Sequence, residues 1–250
     1  MELNLLFFAF AIPAVIFAGI SKGGFGSGAA FAATPLMAMI LDPGLAVGLM
    51  LPLLMVMDVA SLKPYWKKWD WQNARVLVLG AIPGTIVAAV IFRLANPDVF
   101  RLLIGSVAIG FVLFQLARKF GLLAVKARQF NPYVAGFWGF TASITSFISH
   151  AGGPPLAVYL LSQRMDKTTY QATSVIVFWF ANWMKFGPYL WLGIITTETV
   201  KADLFLAPFA VIGVVLGVYA HRLVPERLFF ALTYTLLIIT GLKLIYDGLT

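Results

Sequence analysis

One apolar run follows another along this chain. Most are roughly 17 to 22 residues long, the length at which an α-helix crosses a ~30 Å hydrocarbon core. The runs occupy 3–20, 29–41, 44–62, 76–92 and 100–117, then, after a polar stretch at 118–131, 132–148, 155–161, 172–192, 204–220 and 228–245. Two of them, 29–41 and 155–161, are too short to cross alone. Their continuity excludes a transmembrane barrel, whose strands would alternate in segments of about ten residues. Composition points the same way. With 61% of 250 residues hydrophobic and 11% charged, and a mean hydropathy of +0.91, the chain could not cover a water-facing surface. The expectation is an all-α, polytopic integral membrane protein with about eight to ten membrane segments.

The net charge of +8 would suggest nucleic acid in a soluble domain. Here the basic residues sit mainly in loops, where an excess of Lys and Arg marks the cytoplasmic face, so the partner expected is the lipid bilayer and no nucleic acid. No cysteine is present, which removes disulfides and Cys-based metal sites, and two distant histidines (His150, His221) make a poor zinc site. No cofactor is expected. Glu2, with no Lys or Arg before the first apolar run, argues for a first segment that is retained rather than cleaved.

The two series of runs repeat each other. At an offset of 124, Asp42 falls on Asp166, Asp58 on Asn182, Pro64 on Pro188 and Tyr65 on Tyr189. Further along, Gly84 matches Gly213, Arg93 matches Arg222, Pro97 matches Pro225 and Asp98 matches Glu226. This is the pattern of a duplication, with a first membrane repeat over 1–120, a central cytoplasmic loop at 121–131 and a second repeat over 132–250. Loop charges choose its sense. Parallel halves of four crossings each would split the basic residues 10 to 6 between the two sides. If each Gly-rich region instead turns back as a hairpin, thirteen lie on one side and only Arg93, Arg101, Lys201 and Lys243 opposite. The larger asymmetry favours inverted repeats with the central loop cytoplasmic and both termini outside. The count leaves open whether each Gly-rich hairpin is re-entrant or crosses twice.

The first hairpin reads Ser21-Lys22-Gly23-Gly24-Phe25-Gly26-Ser27-Gly28, then Thr34-Pro35. Each glycine forfeits about 1 kcal/mol against alanine in a helix, so helix propensity did not place them. One reading is a broken helix that offers backbone N–H groups to an anion, with Lys22, Gly24, Gly26, Ser27 and Gly28 as the site; the other is close helix packing through small residues. The second break is Ser146-Phe147-Ile148-Ser149-His150-Ala151-Gly152-Gly153-Pro154-Pro155. Its prolines suit the first turn of a new helix, leaving the amides of Gly152 and Gly153 free to bind. Ser149 and His150 stand beside them, His150 either as an anion donor and proton-titrating group or as an interface residue.

These paired motifs, each leading to a helix start (Thr34-Pro35-Leu36 and Pro154-Pro155-Leu156), resemble the TauE/SafE family of membrane permeases. The resemblance covers nearly the whole chain in segment order and length. It implies a bacterial inner (cytoplasmic) membrane permease, multi-pass, for sulfite or organosulfonates such as sulfoacetate. The ionisable residues inside apolar runs remain, each costing about 2.5 to 3.5 kcal/mol at bilayer depth unless partnered. Asn182 and Lys185, one helical turn apart, are candidates to contact a sulfonate, and Asp58 and His150 to couple protons. The bland alternative places Asp58 and Lys185 near helix ends, snorkelling to the interface. Trp179, Trp183, Tyr189 and Trp191 either line a cavity or belong to the interfacial belt.

The expectation is therefore a secondary transporter, an exporter of small sulfur oxyanions by alternating access, powered by an ion gradient or the membrane potential since no nucleotide-binding loop is visible. A small anionic substrate is the implied ligand, and homo-oligomeric assembly is compatible with the reading. A passive anion channel is the alternative. An intramembrane enzyme would have only Ser149, His150 and Asp58 to work with, and no spacing brings these together.

Overall fold

The computed structural model describes residues 3–25, 30–122, 127–223 and 226–250, and every regular element among them is helical. In order these are α1 (Leu5–Ile20), a π turn (Ser21–Phe25), a 3-10 turn (Ala30–Ala32), α2 (Ala33–Met37), α3 (Pro43–Leu62), α4 (Trp71–Leu94), α5 (Pro97–Lys119), α6 (Pro132–Ser149), α7 (Gly153–Ser162), α8 (Lys167–Trp191), α9 (Thr197–Leu223) and α10 (Glu226–Leu249). Among the described residues, six helical segments are long and apolar enough to span a membrane: Leu5–Gly24, Pro43–Leu62, Trp71–Leu94, Pro97–Lys119, Thr197–Tyr219 and Phe229–Leu249. α6 and α8 are comparable in length, at 18 and 25 residues, but carry the polar residues of the site. α2 and α7, at 5 and 10 residues, are too short to cross.

Helix starts follow from local chemistry. Asn4, Asp42, Asp70, Asn96, Asn131 and Asp166 each accept backbone N–H bonds that the first turn would otherwise leave unmade. Three of these caps are followed by proline at the first helical position, where no N–H is needed. The repeat match between Asp42 and Asp166 is a match of caps on α3 and α8. The Thr169 hydroxyl and the Thr169 and Thr168 amides hold the Asp166 carboxyl below the usual carboxylate range. The contribution of this cap is present above the ordinary carboxylate pKa and is lost as the pH falls through the lowered one.

Backbones touch where glycines permit it. A Cβ at Gly80 would stand 2.2 Å from the Gly136 carbonyl oxygen, and one at Gly84 2.5 Å from that of Phe140, so α4 lies parallel against α6. On the opposite flank, Gly213 meets the Ile16 carbonyl at 2.6 Å and Gly217 that of Ile20 at 2.4 Å, so α9 lies parallel against α1. α5 and α10 run antiparallel, with Gly105 beside Gly241 and Gly248 beside Asp98. α3 and α8 also run antiparallel, since Asp58 meets Asn182 while Gly48 lies against Ile194 beyond the α8 end. Without a hydrophobic force between helices in lipid, such close approach is what holds them. Leu79, Ile86, Val90, Leu113, Leu204 and Leu242 point outward.

A Gly213→Leu change forces α1 and α9 apart and lowers the thermal midpoint in detergent by many degrees. An added Cβ at Gly110 meets nothing within 4 Å. Gly110→Ala raises stability by up to about 1 kcal/mol, and the same melting experiment reads both.

Candidate functional site

The two chain breaks face each other across α3 and α8. At the first, α1 does not stop at Ile20 but widens into the π turn, an insertion that recurs at functional sites. This turn carries Lys22 inward, where it is 6% exposed. Its ammonium pairs with Asp58 Oδ1 and donates to the Leu54 carbonyl at 3.2 Å. The Lys22 carbonyl accepts from Gln171 Nε2 at 3.2 Å, which ties the turn to α8. Gly23 and Gly24 press on α9: their added Cβ atoms would stand 2.2 and 2.1 Å from the Val214 and Gly217 carbonyls. At Gly24 the geometry is that of close packing. Gly26, Ser27 and Gly28 lie outside the described residues.

At the second break, α6 ends on His150 in the left-handed conformation (φ 57, ψ 14), which histidine tolerates better than most residues. The reversal aims its ring at α3 and α8. Nε2 lies 2.9 Å from the Val47 carbonyl, which can only accept, so Nε2 bears the hydrogen and Nδ1 is an acceptor. Lys185 Nζ donates to that Nδ1 at 3.0 Å, to Ser146 Oγ at 3.0 Å and to the Ser146 carbonyl at 3.2 Å. Gly152 sits so close that a Cβ would meet Ser146 Cβ and Phe178 Cε1, each at 2.9 Å. α7 begins at Gly153 with no side-chain cap, and since Pro154 and Pro155 lack N–H groups, Gly152 and Gly153 supply the amides at this end. Ser149 is buried and bonds back to the Thr145 carbonyl at 3.4 Å.

Asp58 and Asn182, 124 positions apart, touch: Asn182 Nδ2 donates to Asp58 Oδ2 at 2.5 Å. Both are buried, as is Lys185 at 1% exposure, so neither Asp58 nor Lys185 snorkels. Lys22, counted among the loop charges from the sequence, belongs to the interior; the asymmetry stands without it. A cavity of about 20 Å³ lies between the two lysine clusters, lined by Lys22, Ala30, Phe31, Leu54, Ser146, His150, Phe178 and Asn182. That volume holds about one water. A far larger groove, about 700 Å³, runs along the outside between α4 and α8 past Ile86, Val90 and Gly187, but its walls are mostly apolar, with Thr85 and Arg93 the polar members, and Lys22, His150 and Lys185 do not line it.

Of the aromatic candidates, Trp183 and Trp191 are exposed, and Arg93 stacks 5.2 Å over the Trp191 ring. Tyr189 is fully buried and donates to the Phe147 carbonyl at 2.6 Å, in an aromatic cluster with Phe92 and Phe147. Ser149, His150 and Asp58 form no relay, since each is engaged by a different partner. No group of three or more metal-ligating side chains occurs among the described residues.

Residues 11–244 match the model of the family described as Sulfite exporter TauE/SafE. The chain belongs to the TauE/SafE family. It is thus a polytopic helical membrane protein of a transporter family rather than an enzyme. No curated protein and no solved structure matches it.

Gln171 and the carbonyls of Val47 and Leu54 take part in the site without having been singled out from sequence, and Ser146 stood in the second break without being assigned a role there. The role of Ser146 could have been found, one turn before His150 on the same helix; the carbonyls carry no side-chain signal. Breaking a buried ion pair from one side costs about 3 to 5 kcal/mol, because the orphaned charge stays buried. Lys22→Met therefore lowers the unfolding midpoint strongly, and Lys22→Met combined with Asp58→Asn, which keeps an acceptor for Asn182, restores most of the loss in the same assay.

Proposed function

We propose that this protein is a secondary transporter that exports small sulfur oxyanions, such as sulfite or organosulfonates, by alternating access between two inverted repeats. The observation that carries the reading is the convergence of Lys22, His150 and Asn182 on one small cavity between the chain breaks, with the buried Lys185 bonded to His150 behind it. Lys22 comes from the first half; His150, Asn182 and Lys185 come from the second. Family membership supports an oxyanion as cargo. The antiparallel pairing of α3 with α8 and of α5 with α10 supports halves of opposite sense, in which each break with its short helix returns the chain to the face it entered.

In this reading Lys22, Lys185, Ser146 and the Gly152 and Gly153 amides hold the anion, with His150 and Asp58 handling protons. The cavity holds about one water, less room than a sulfur oxyanion needs, so binding requires it to widen. The narrowness of this space supports a carrier over a passive channel. An inside-negative potential assists export of a monoanion by about 2.3 kcal/mol per 100 mV.

In proteoliposomes, labelled sulfite or sulfoacetate flux saturates with concentration, and Lys185→Met lowers it at least tenfold, the loss of one charge-assisted hydrogen bond. Non-saturating flux indifferent to a proton gradient would instead establish the channel. The inverted arrangement has its own check in this cysteine-free chain. A single cysteine at Gln129 reacts with an impermeant thiol reagent only from the cytoplasmic side, and one at Asp247 only from outside.

A further inference from the structure

The two buried lysines differ in what neutralises them. Lys22 has a carboxylate, Asp58, which Asn182 also holds in place. Among the described residues, the acceptors that Lys185 meets are neutral: the Ser146 carbonyl and hydroxyl and the Nδ1 of His150. The acceptor role of Nδ1 is fixed from the far side of the ring, because the Val47 carbonyl demands the hydrogen on Nε2. In the empty site His150 is therefore neutral when Lys185 is an ammonium, since two cations 3.0 Å apart with no anion between them would repel strongly in a water-poor interior. The charged or titratable groups around the ring are Lys185 and Tyr189 from α8, Lys22 from the π turn and Asp58 from α3. Beyond the Lys22–Asp58 pair, the empty site thus carries at most one positive charge.

We infer that the Lys185–His150 pair sets the charge the site accepts: a monoanion binds unaccompanied, whereas a dianion brings one proton with it, which His150 takes on Nδ1. This deepens the anion-transport reading and rests on it. When an anion oxygen approaches, the Lys185 ammonium turns from Nδ1 toward it. Nδ1, no longer an acceptor, gains a proton from solvent and becomes a second donor to the same anion. Charges balance, because a dianion and one proton add the same net −1 as a monoanion. No bond of the substrate is made or broken. Ser146, one turn before His150, keeps Lys185 within reach of both states through its hydroxyl and carbonyl and acts as a positioning residue.

Isothermal titration calorimetry of the purified protein at pH 7.5, repeated in buffers of different ionisation enthalpy, counts protons taken up on binding. Methanesulfonate, a monoanion, gives an uptake near zero, and sulfoacetate, a dianion, gives about one. In His150→Gln, which keeps an acceptor for Lys185, the sulfoacetate uptake disappears and the preference for sulfoacetate over methanesulfonate falls at least tenfold. Equal uptake for both ligands in the wild-type protein overturns the inference without any variant, and leaves the sulfur-oxyanion reading standing. Uptake retained in His150→Gln overturns it as well. If malonate binds with one proton while neither sulfonate binds, the charge rule holds and the sulfur-oxyanion reading fails.

Discussion

The organising constraint of this protein is the burial of charge inside a structure that has almost no water to offer. Two lysine amines, one carboxyl group and one imidazole sit within a few ångströms of a cavity with room for about one water. In such surroundings an unpaired charge is costly, and the chain meets that cost in two ways. Asp58 compensates Lys22 by direct pairing. Lys185 is only solvated, by a serine, a backbone carbonyl and a ring nitrogen. The rest of the fold serves to hold those partners still: the π turn delivers Lys22, the left-handed residue delivers His150, and α3 and α8, antiparallel through the centre, deliver the acceptors and donors.

Holding these parts together in lipid calls for a cohesive surface that is not hydrophobic burial. Glycine supplies it. The contacts at Gly80, Gly84, Gly213 and Gly217 are backbone against backbone, close enough that a methyl group would collide with a carbonyl. The outer faces are free to be leucine, isoleucine and valine because they do none of this work, and α6 and α8 are free to be polar because they are lined by other helices.

Much of this was legible in the letters. The runs located the helices to within a few residues, and the offset of 124 paired Asp58 with Asn182 before any contact was known; two equivalent positions on central antiparallel helices meet where those helices cross. Lys22, His150 and Lys185 stood out because charge and titratable groups are scarce in apolar sequence. Gly24 shows where the letters fall short. A glycine that bares an amide to an anion and a glycine that admits a neighbouring backbone look identical, and only the 2.1 Å approach to Gly217 distinguishes them. Lys22 was legible in two ways, as a charge on the cytoplasmic side and as a site residue in the Gly-rich break, and its burial against Asp58 decides for the interior. Val47 and Leu54 contribute through carbonyls that every residue has, so no pattern of side chains could have named them.

The parallel contacts of α1 with α9 and of α4 with α6 have a consequence for how the chain can be divided. Each joins a helix of the first half to a helix of the second, so neither half contains the mate of its own first helix. The sequence boundary at the central loop is therefore not a mechanical boundary. Helices from both halves of the sequence are bound backbone to backbone, so either half taken alone leaves a glycine-lined face bare.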